Sequence, residues 1–262
     1  MARPIITLTT DFGLSDHFAG TMKGVILRTA PNAEVVDITH EVSPYGITEG
    51  AFAIAEAYRW FPRGTVHVVV VDPGVGTMRR PIIGEAAGQF FVAPDNGVLS
   101  MIYSREKHKV RAITSEKHFL KPVSRTFHGR DVFAPTAALL ARRTPPARFG
   151  KLIDDYCRLR FAEPVRIGKR VWQGSVLKVD RFGNLITNFL LDEFPAFRTR
   201  PFRLVCGHIG LEEVRETFAD GAGGEPVLIA GSSGYVEIAV YQGSAAKILG
   251  CAAGSPVELS VW

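Results

Sequence analysis

The stretch Thr65-Val-His-Val-Val-Val-Val-Asp-Pro-Gly-Val-Gly-Thr-Met-Arg-Arg80 limits what this chain can fold into more than any other. Its run of β-branched residues does not alternate with polar ones, which predicts a strand buried on both faces. The strand breaks at Asp72-Pro73-Gly74-Val75-Gly76, where proline fixes one φ and two glycines open backbone conformations closed to other residues. In an open parallel sheet, ligands bind outside the carboxyl ends of the strands. A carboxylate, a glycine-shaped backbone and Arg79 therefore arrive together where chemistry usually sits. Taken alone, the Asp-Pro-Gly turn fits a structural cap equally well.

The segments before it supply the rest of such a sheet. Ile5–Thr10 is rich in β-formers and ends in Asp11-Phe12-Gly13. Ser15 offers an N-cap to a helix predicted over residues 16–30, with Asp16 favourable in its first turn. Ala33–Ile38 reads as a second strand, and Ile47, Ala51, Ile54, Ala55 and Tyr58 recur at helical spacing before Phe61-Pro62-Arg63-Gly64. This strand–helix–strand–helix–strand order predicts an α/β sheet with right-handed crossovers. Pro81–Gly84 and Gln89–Val92 follow as paired strands. After them come a short helix through Tyr103, a strand at Val110–Ile113, and an apolar helix from about Val132 to Arg142 stopped by Thr144-Pro-Pro146.

From about Gly174 the pattern changes to short strands separated by glycine-bearing turns, which suggests a small β barrel or sandwich. The expected division is an α/β domain over residues 1–163 and a smaller β domain over 174–262, with Glu163-Pro164 to Gln173 as a linker.

Several function classes are disfavoured. The formal charge of +5 is mildly basic. It is spread along the chain with no basic helix or aromatic platform, so nucleic acid is not an expected partner. No uncharged apolar run approaches the roughly 18–20 residues of a membrane span. The N-terminus enters a strand without the apolar core of a secretory leader. The three cysteines are scattered and odd in number, which points to a reducing, cytoplasmic compartment. No paired metal-ligand spacing, phosphate-loop signature or Gly-x-Ser-x-Gly nucleophile motif is present, so neither a metal nor a covalent intermediate is expected.

Asp11, Asp72 and His128 all fall on the presumed carboxyl side of the sheet, where acids and an imidazole could bind a metal, orient a water or hold a ribose. The motifs around them occur in one order: Thr10-Asp-Phe-Gly13, Asp37-Ile-Thr-His40, Val71-Asp-Pro-Gly-Val-Gly-Thr77 with Arg79, Ala93-Pro-Asp-Asn-Gly97, Thr126-Phe-His-Gly-Arg-Asp131, Asp180-Arg-Phe-Gly-Asn184 and Ser233-Gly-Tyr-Val-Glu-Ile-Ala239. Together they closely resemble the S-adenosyl-L-methionine (SAM) hydroxide adenosyltransferase family, hydrolytic relatives of the fluorinase and chlorinase.

That resemblance spans nearly the whole chain. It implies an N-terminal α/β domain, a smaller C-terminal β-barrel-like domain, and a homotrimer with sites shared between neighbouring subunits. It also implies hydrolysis of SAM to adenosine and L-methionine by water or hydroxide attacking the ribose 5′ carbon, with no cofactor. Asp72, Arg79 and His128 map onto the set that positions the attacking oxygen, and Asp11 onto the acid that holds the ribose hydroxyls. Asp16, Asp180, Ser232 and Ser233 fall where relatives hold the methionine amino and carboxyl groups. Asn184, Glu237 and the backbone around Val240 fall where they hold adenine, and Phe127, in the motif of His128, joins the substrate-binding candidates. The chain departs from the family pattern at His17-Phe18, Gly231 and Tyr241-Gln242. Two alternatives remain in view: a module that binds adenosine or SAM without turnover, and a halogenase. The carboxylate of Asp72, which would repel a halide, weighs against the second.

Overall fold

β1 (Ile5–Thr10), α1 (Phe18–Thr29), β2 (Glu34–Thr39), α2 (Ile47–Ala57) and β3 (Val66–Val70) follow in the order the apolar runs predict. A computed structural model describes residues 3–161, 163–221 and 223–262. The chain separates into two units, Met1–Phe161 and Ala162–Trp262. Met1 and Ala2 of the N-terminal reading, and Ala222 of the expected Gly221–Gly224 turn, lie outside the described residues, as does Ala162.

In the first unit β1 lies between β2 and β3, parallel to both. β4 (Pro81–Ala86) and β5 (Gln89–Pro94) form a hairpin in which β5, not β4, pairs with β3, again in parallel. α3 (Ser100–Arg105) leads to β6 (His108–Ala112), and α4 (Ala134–Ala141) precedes β7 (Leu152–Ile153). The sheet order is β2-β1-β3-β5-β4-β6-β7. All five residues of β3 are buried, as expected of a strand covered on both faces. Val66, Val68 and Val70 join Met22 and Ile26 of α1 and Ala134, Ala137 and Ala138 of α4 in one core. Val69 and Val71 point the other way and are equally buried; a Cβ built on Gly50 of α2 would meet Val71 at 2.9 Å. Each buried valine contributes on the order of 1.5 kcal/mol.

Two helix starts differ from expectation, each for a local reason. α1 begins at Phe18 with no side-chain cap, leaving Ser15 and Asp16 in the preceding loop. The turn at Asp11–Gly13 is tied by a Gly13 N–H bond to the His40 carbonyl at 2.8 Å, and the Phe18 ring packs edge-on against Phe127 at 5.1 Å. Before α4, Gly129–Phe133 forms a single wide π turn, in which Ala134 N–H reaches back five residues to Gly129. Pro135 has no N–H to give the carbonyl of Asp131 four residues earlier, so a regular helix would leave that carbonyl unpaired. Instead it accepts the Leu120 N–H at 2.9 Å.

The second unit contains β8 (Val165–Gly168), β9 (Val171–Val179), β10 (Leu185–Leu190), α5 (Ala196–Thr199), β11 (Phe202–Cys206), β12 (Ile209–Leu211), β13 (Val214–Arg215), β14 (Pro226–Ala230), β15 (Tyr235–Val240), α6 (Ala245–Leu249) and β16 (Pro256–Val261). The order β12-β11-β16-β9-β10-β15-β14-β13, with β8 on β9, describes one sheet. It curls as a half-barrel, bringing β12 back near β14 around Leu185, Phe189, Leu204, Val236, Ile238 and Leu259. The segment expected as a linker is therefore structured. Val165 and Arg166 pair with Gln173 and Trp172, and the Arg166 guanidinium lies 5.6 Å from the Trp172 ring centre. All four residues of β8 are exposed, so no buried face marked it as a strand.

Candidate active site

The parallel run β2, β1, β3 and β5 places four strand ends at one edge of the first sheet, followed by His40, Asp11, Asp72 and Asp95. Asp72 and Arg79 occupy opposite ends of the loop from β3 to β4. Arg79 Nε donates to Asp72 Oδ1 at 2.9 Å, and Nη2 donates to Oδ2, giving a bidentate pair with side chains only 9% and 5% exposed. The same Nη2 lies 2.9 Å from His128 Nδ1. A guanidinium has only donors, so Nδ1 must accept, and the proton of the neutral ring sits on Nε2. Burial, then Arg79, push the His128 pKa below its ordinary value, while Asp72 and Asp131 oppose the shift. Arg79 Nη1 is buried and has no protein hydrogen-bond partner. Behind the guanidinium lies the Phe133 ring, 5.2 Å away.

The loops carrying these groups interlock. Gly76 has φ +76°, and a Cβ there would lie 2.2 Å from the Arg125 carbonyl oxygen. Only glycine allows the β3–β4 loop to lie this close to the 124–128 segment. Asp131 clasps that segment from its other side. Its Oδ2 accepts the Ser124 N–H at 2.8 Å, and Arg130 neutralises it from the side at 2.7 Å.

Asp11 Oδ2 accepts the N–H of Tyr45 at 2.9 Å. Tyr45 holds a left-handed φ of +66°, a conformation that costs a non-glycine residue about 1 kcal/mol. Burial raises the Asp11 pKa, and the nearby charge of Asp72 raises it further. Asp16 is exposed in the loop before α1. Phe127 is buried in a ring cluster with Phe12 and Phe18.

The second unit gathers its own set. Asp180 Oδ1 accepts the N–H groups of Phe182 at 2.8 Å and Asn184 at 2.9 Å, while Oδ2 accepts from Asn184 Nδ2 at 2.9 Å. Glu237, on β15, is buried, and its pKa is raised first by that burial and then by Asp180. A Cβ on Gly231 would lie 2.0 Å from Glu237 Oε1. Glycine at position 231 thus leaves room for that carboxylate. Ser232 is exposed in the turn between β14 and β15, and Ser233 Oγ is buried with no protein partner. The Val240 side chain belongs to the half-barrel core, so at that position only the backbone can face a ligand. Among the described residues, no group of three or more His, Cys, Asp or Glu side chains is arranged to hold a metal.

Comparison with known proteins decides the family. The model of the SAM hydroxide adenosyltransferase N-terminal domain matches residues 6–150, and that of the C-terminal domain matches residues 174–258. The chain belongs to the SAM hydroxide adenosyltransferase family. Within it, the chain is 38% identical to the (R)-S-adenosyl-L-methionine hydrolase of Thermus thermophilus, across 98% of this chain and 99% of that one. A fluorinase of an Actinoplanes species is more distant, at 28% identity over 90% of each chain. The crystal structure of an uncharacterized conserved protein from Thermotoga maritima superposes with a TM-score of 0.90 at 37% identity, covering 97% of this chain and 99% of that one.

The family motifs quoted from sequence thus bring Asp72, Arg79 and His128 into direct contact, and Asp180 with Asn184 likewise. Sequence reasoning quoted Gly76 and Asp131 within motifs without the contacts that they make here, and did not single out Tyr45.

Proposed function

We propose that this protein hydrolyses SAM to adenosine and L-methionine. The observation that carries the reading is Arg79: Nε and Nη2 are committed to Asp72 and His128, and the buried Nη1 retains donors for an oxygen nucleophile. The sulfonium departs as a neutral thioether, so no acid is needed at sulfur. The oxygen of a water or hydroxide bonds to the ribose 5′ carbon as the C5′–S bond breaks and its electron pair passes to sulfur. The work left to the protein is to place that oxygen in line and exclude bulk water, an advantage of position and preorganised charge. His128, with Nδ1 occupied, acts as a donor through Nε2–H. Asp72 keeps free lone pairs and takes the proton of the attacking water.

Asp11 would hold the ribose hydroxyls, with Asp16, Phe127, Ser232 and Ser233 among the substrate contacts. The neighbouring carboxylates of Asp180 and Glu237 suit N–H donors, as offered by the methionine ammonium and the adenine amino group, with Asn184 beside them. No cofactor or metal takes part. Incubating the purified protein with SAM, EDTA and high halide, followed by chromatography, is expected to give adenosine and methionine. Absence of adenosine above the uncatalysed rate would sink the reading in favour of a binding module, and 5′-halo-5′-deoxyadenosine would favour a halogenase.

The enzyme is further read as a cytoplasmic homotrimer, its Cys157, Cys206 and Cys251 present as free thiols. Support for the trimer comes from the family resemblance and from a candidate set divided between residues 11–128 and 180–240. Asp72→Ala chains mixed with Asn184→Ala chains, each inactive alone, are expected to regain activity on co-refolding. Inactive mixtures in which hybrids demonstrably form would instead assign each site to a single subunit.

A further inference from the structure

Beneath Asp11 runs a line of polar groups that the chemistry above does not use. Thr10, at the end of β1, is fully buried, and its Oγ1 lies 2.8 Å from His40 Nδ1. The other ring nitrogen, Nε2, lies 3.0 Å from Asp37 Oδ1 in a bent contact. Asp37 Oδ2 in turn meets Lys23 Nζ at 2.5 Å. Lys23 and Asp37 are about one-third exposed, whereas His40 is buried, so the line runs from the surface to the root of the Asp11 turn.

Donor and acceptor roles give the line a direction. Thr10 Oγ1 already accepts the Phe12 N–H at 3.2 Å, leaving its hydroxyl proton for Nδ1 and placing the ring proton on Nε2, toward Asp37. The same elements hold Asp11 from both sides. The Thr10 carbonyl accepts the Val42 N–H at 3.3 Å, and the His40 carbonyl accepts the Gly13 N–H at 2.8 Å. Buried polar groups are costly unless paired, so the Thr10–His40 hydrogen bond favours one conformation here. The turn held in this way carries the Asp11 carboxylate, whose Oδ2 accepts the Tyr45 N–H at 2.9 Å.

We infer that Thr10, His40 and Asp37 are positioning residues that aim the Asp11 carboxylate at a vicinal diol, the 2′,3′-hydroxyls of the substrate's ribose. The inference rests on the reading of Asp11 as the ribose-holding acid. Neither Thr10 nor His40 touches substrate; each acts through the backbone on either side of Asp11.

The experiment measures binding of adenosine and of 2′,3′-dideoxyadenosine to the full-length protein by calorimetry, which needs no turnover. Wild type is expected to prefer adenosine, and Asp11→Asn to lose that preference. Thr10→Val, equal in shape but without the hydroxyl, is expected to weaken adenosine about tenfold while leaving the dideoxy compound within about twofold. Thr10→Ser should restore adenosine binding, and His40→Gln, which can still accept from Thr10 and donate to Asp37, should lie between. Equal loss of both ligands in Thr10→Val, or no loss, overturns the positioning role, and an Asp11→Asn variant that has lost the preference leaves the ribose assignment standing. Should Thr10→Val not fold, His40→Ala against His40→Gln reads the same contrast. If Asp11→Asn keeps the preference for adenosine, the ribose assignment fails and the inference with it, whatever the SAM assay gives.

Discussion

Asp72→Asn is expected to lower kcat about a thousandfold with KM for SAM changed less than threefold. Asparagine preserves the shape of the side chain and one acceptor for Arg79, but removes the negative charge and the lone pairs assigned to the water proton. Losing a proton acceptor costs on the order of 10²–10⁴ in rate, and losing a preorganised charge about 10²–10³. Arg79→Lys supplies the companion test. It retains a positive charge, but a single ammonium lacks the rigid fork that bonds Asp72 twice, reaches His128 at 2.9 Å and presents Nη1. A drop of about a hundredfold or more in kcat is expected there too. If either variant keeps more than about a tenth of wild-type kcat, the Asp72–Arg79–His128 set does not handle the nucleophile. A rise in KM matched by an equal fall in kcat/KM, with kcat unchanged, would instead place the pair in substrate binding.

The second large effect concerns stability in acid. His67 of β3 is fully buried, stacked on Phe91 with ring centres 4.9 Å apart. Nδ1 takes the Thr7 hydroxyl at 2.7 Å, and Nε2 faces Gln89 Oε1 at 3.3 Å. Burial pushes its pKa down to about 4, only partly opposed by Gln89. The native state therefore holds this ring neutral where the unfolded chain, titrating near 6.5, would take up a proton. The stabilisation is fully present above pH 6.5, falls as pH drops toward 4, and is lost below. Linkage puts the loss between pH 7 and pH 4.5 at about 2.5 kcal/mol. Hydrogen exchange of the β1 and β3 amides, corrected for intrinsic rates, should show it, and His67→Gln should remove most of it. An unchanged pH dependence in that variant would mean that the ring is protonated, or solvated, in the native state.

Much of the first unit was legible because its central strands are apolar on both faces, a pattern with few readings. β1, β2, β3 and the helices between them fall within a residue or two of the sequence reading. The carboxyl-edge placement of Asp11 and Asp72 follows from the parallel pairing alone. What escaped depends on partners distant in sequence. The π turn before α4 arises because Pro135 frees the Asp131 carbonyl, yet Leu120, which bonds it, lies eleven residues upstream. β8 carries too few residues, all exposed, to show a periodicity. The β4–β5 hairpin was visible, but not that β5 takes the place beside β3, since both strands are comparably apolar. Of the site, the contact among Asp72, Arg79 and His128 was implied by family motifs, whereas the interlock of Gly76 with the Arg125 carbonyl could not be read from either segment by itself.

Because β5 lies between β3 and β4, the chain leaving Val70 must step over a whole strand, roughly 10 Å, before it re-enters the sheet at Pro81. The ion pair Asp72–Arg79 spans that bridge from end to end. On the proposed function, one bond serves both as reactive centre and as the buckle of a chain crossing. A descendant exploring another nucleophile cannot exchange Asp72 alone without leaving a buried guanidinium unpaired, at a cost of about 3–5 kcal/mol. New chemistry at this edge has to arrive with a new way of fastening the bridge, so the accessible routes pass through paired replacements.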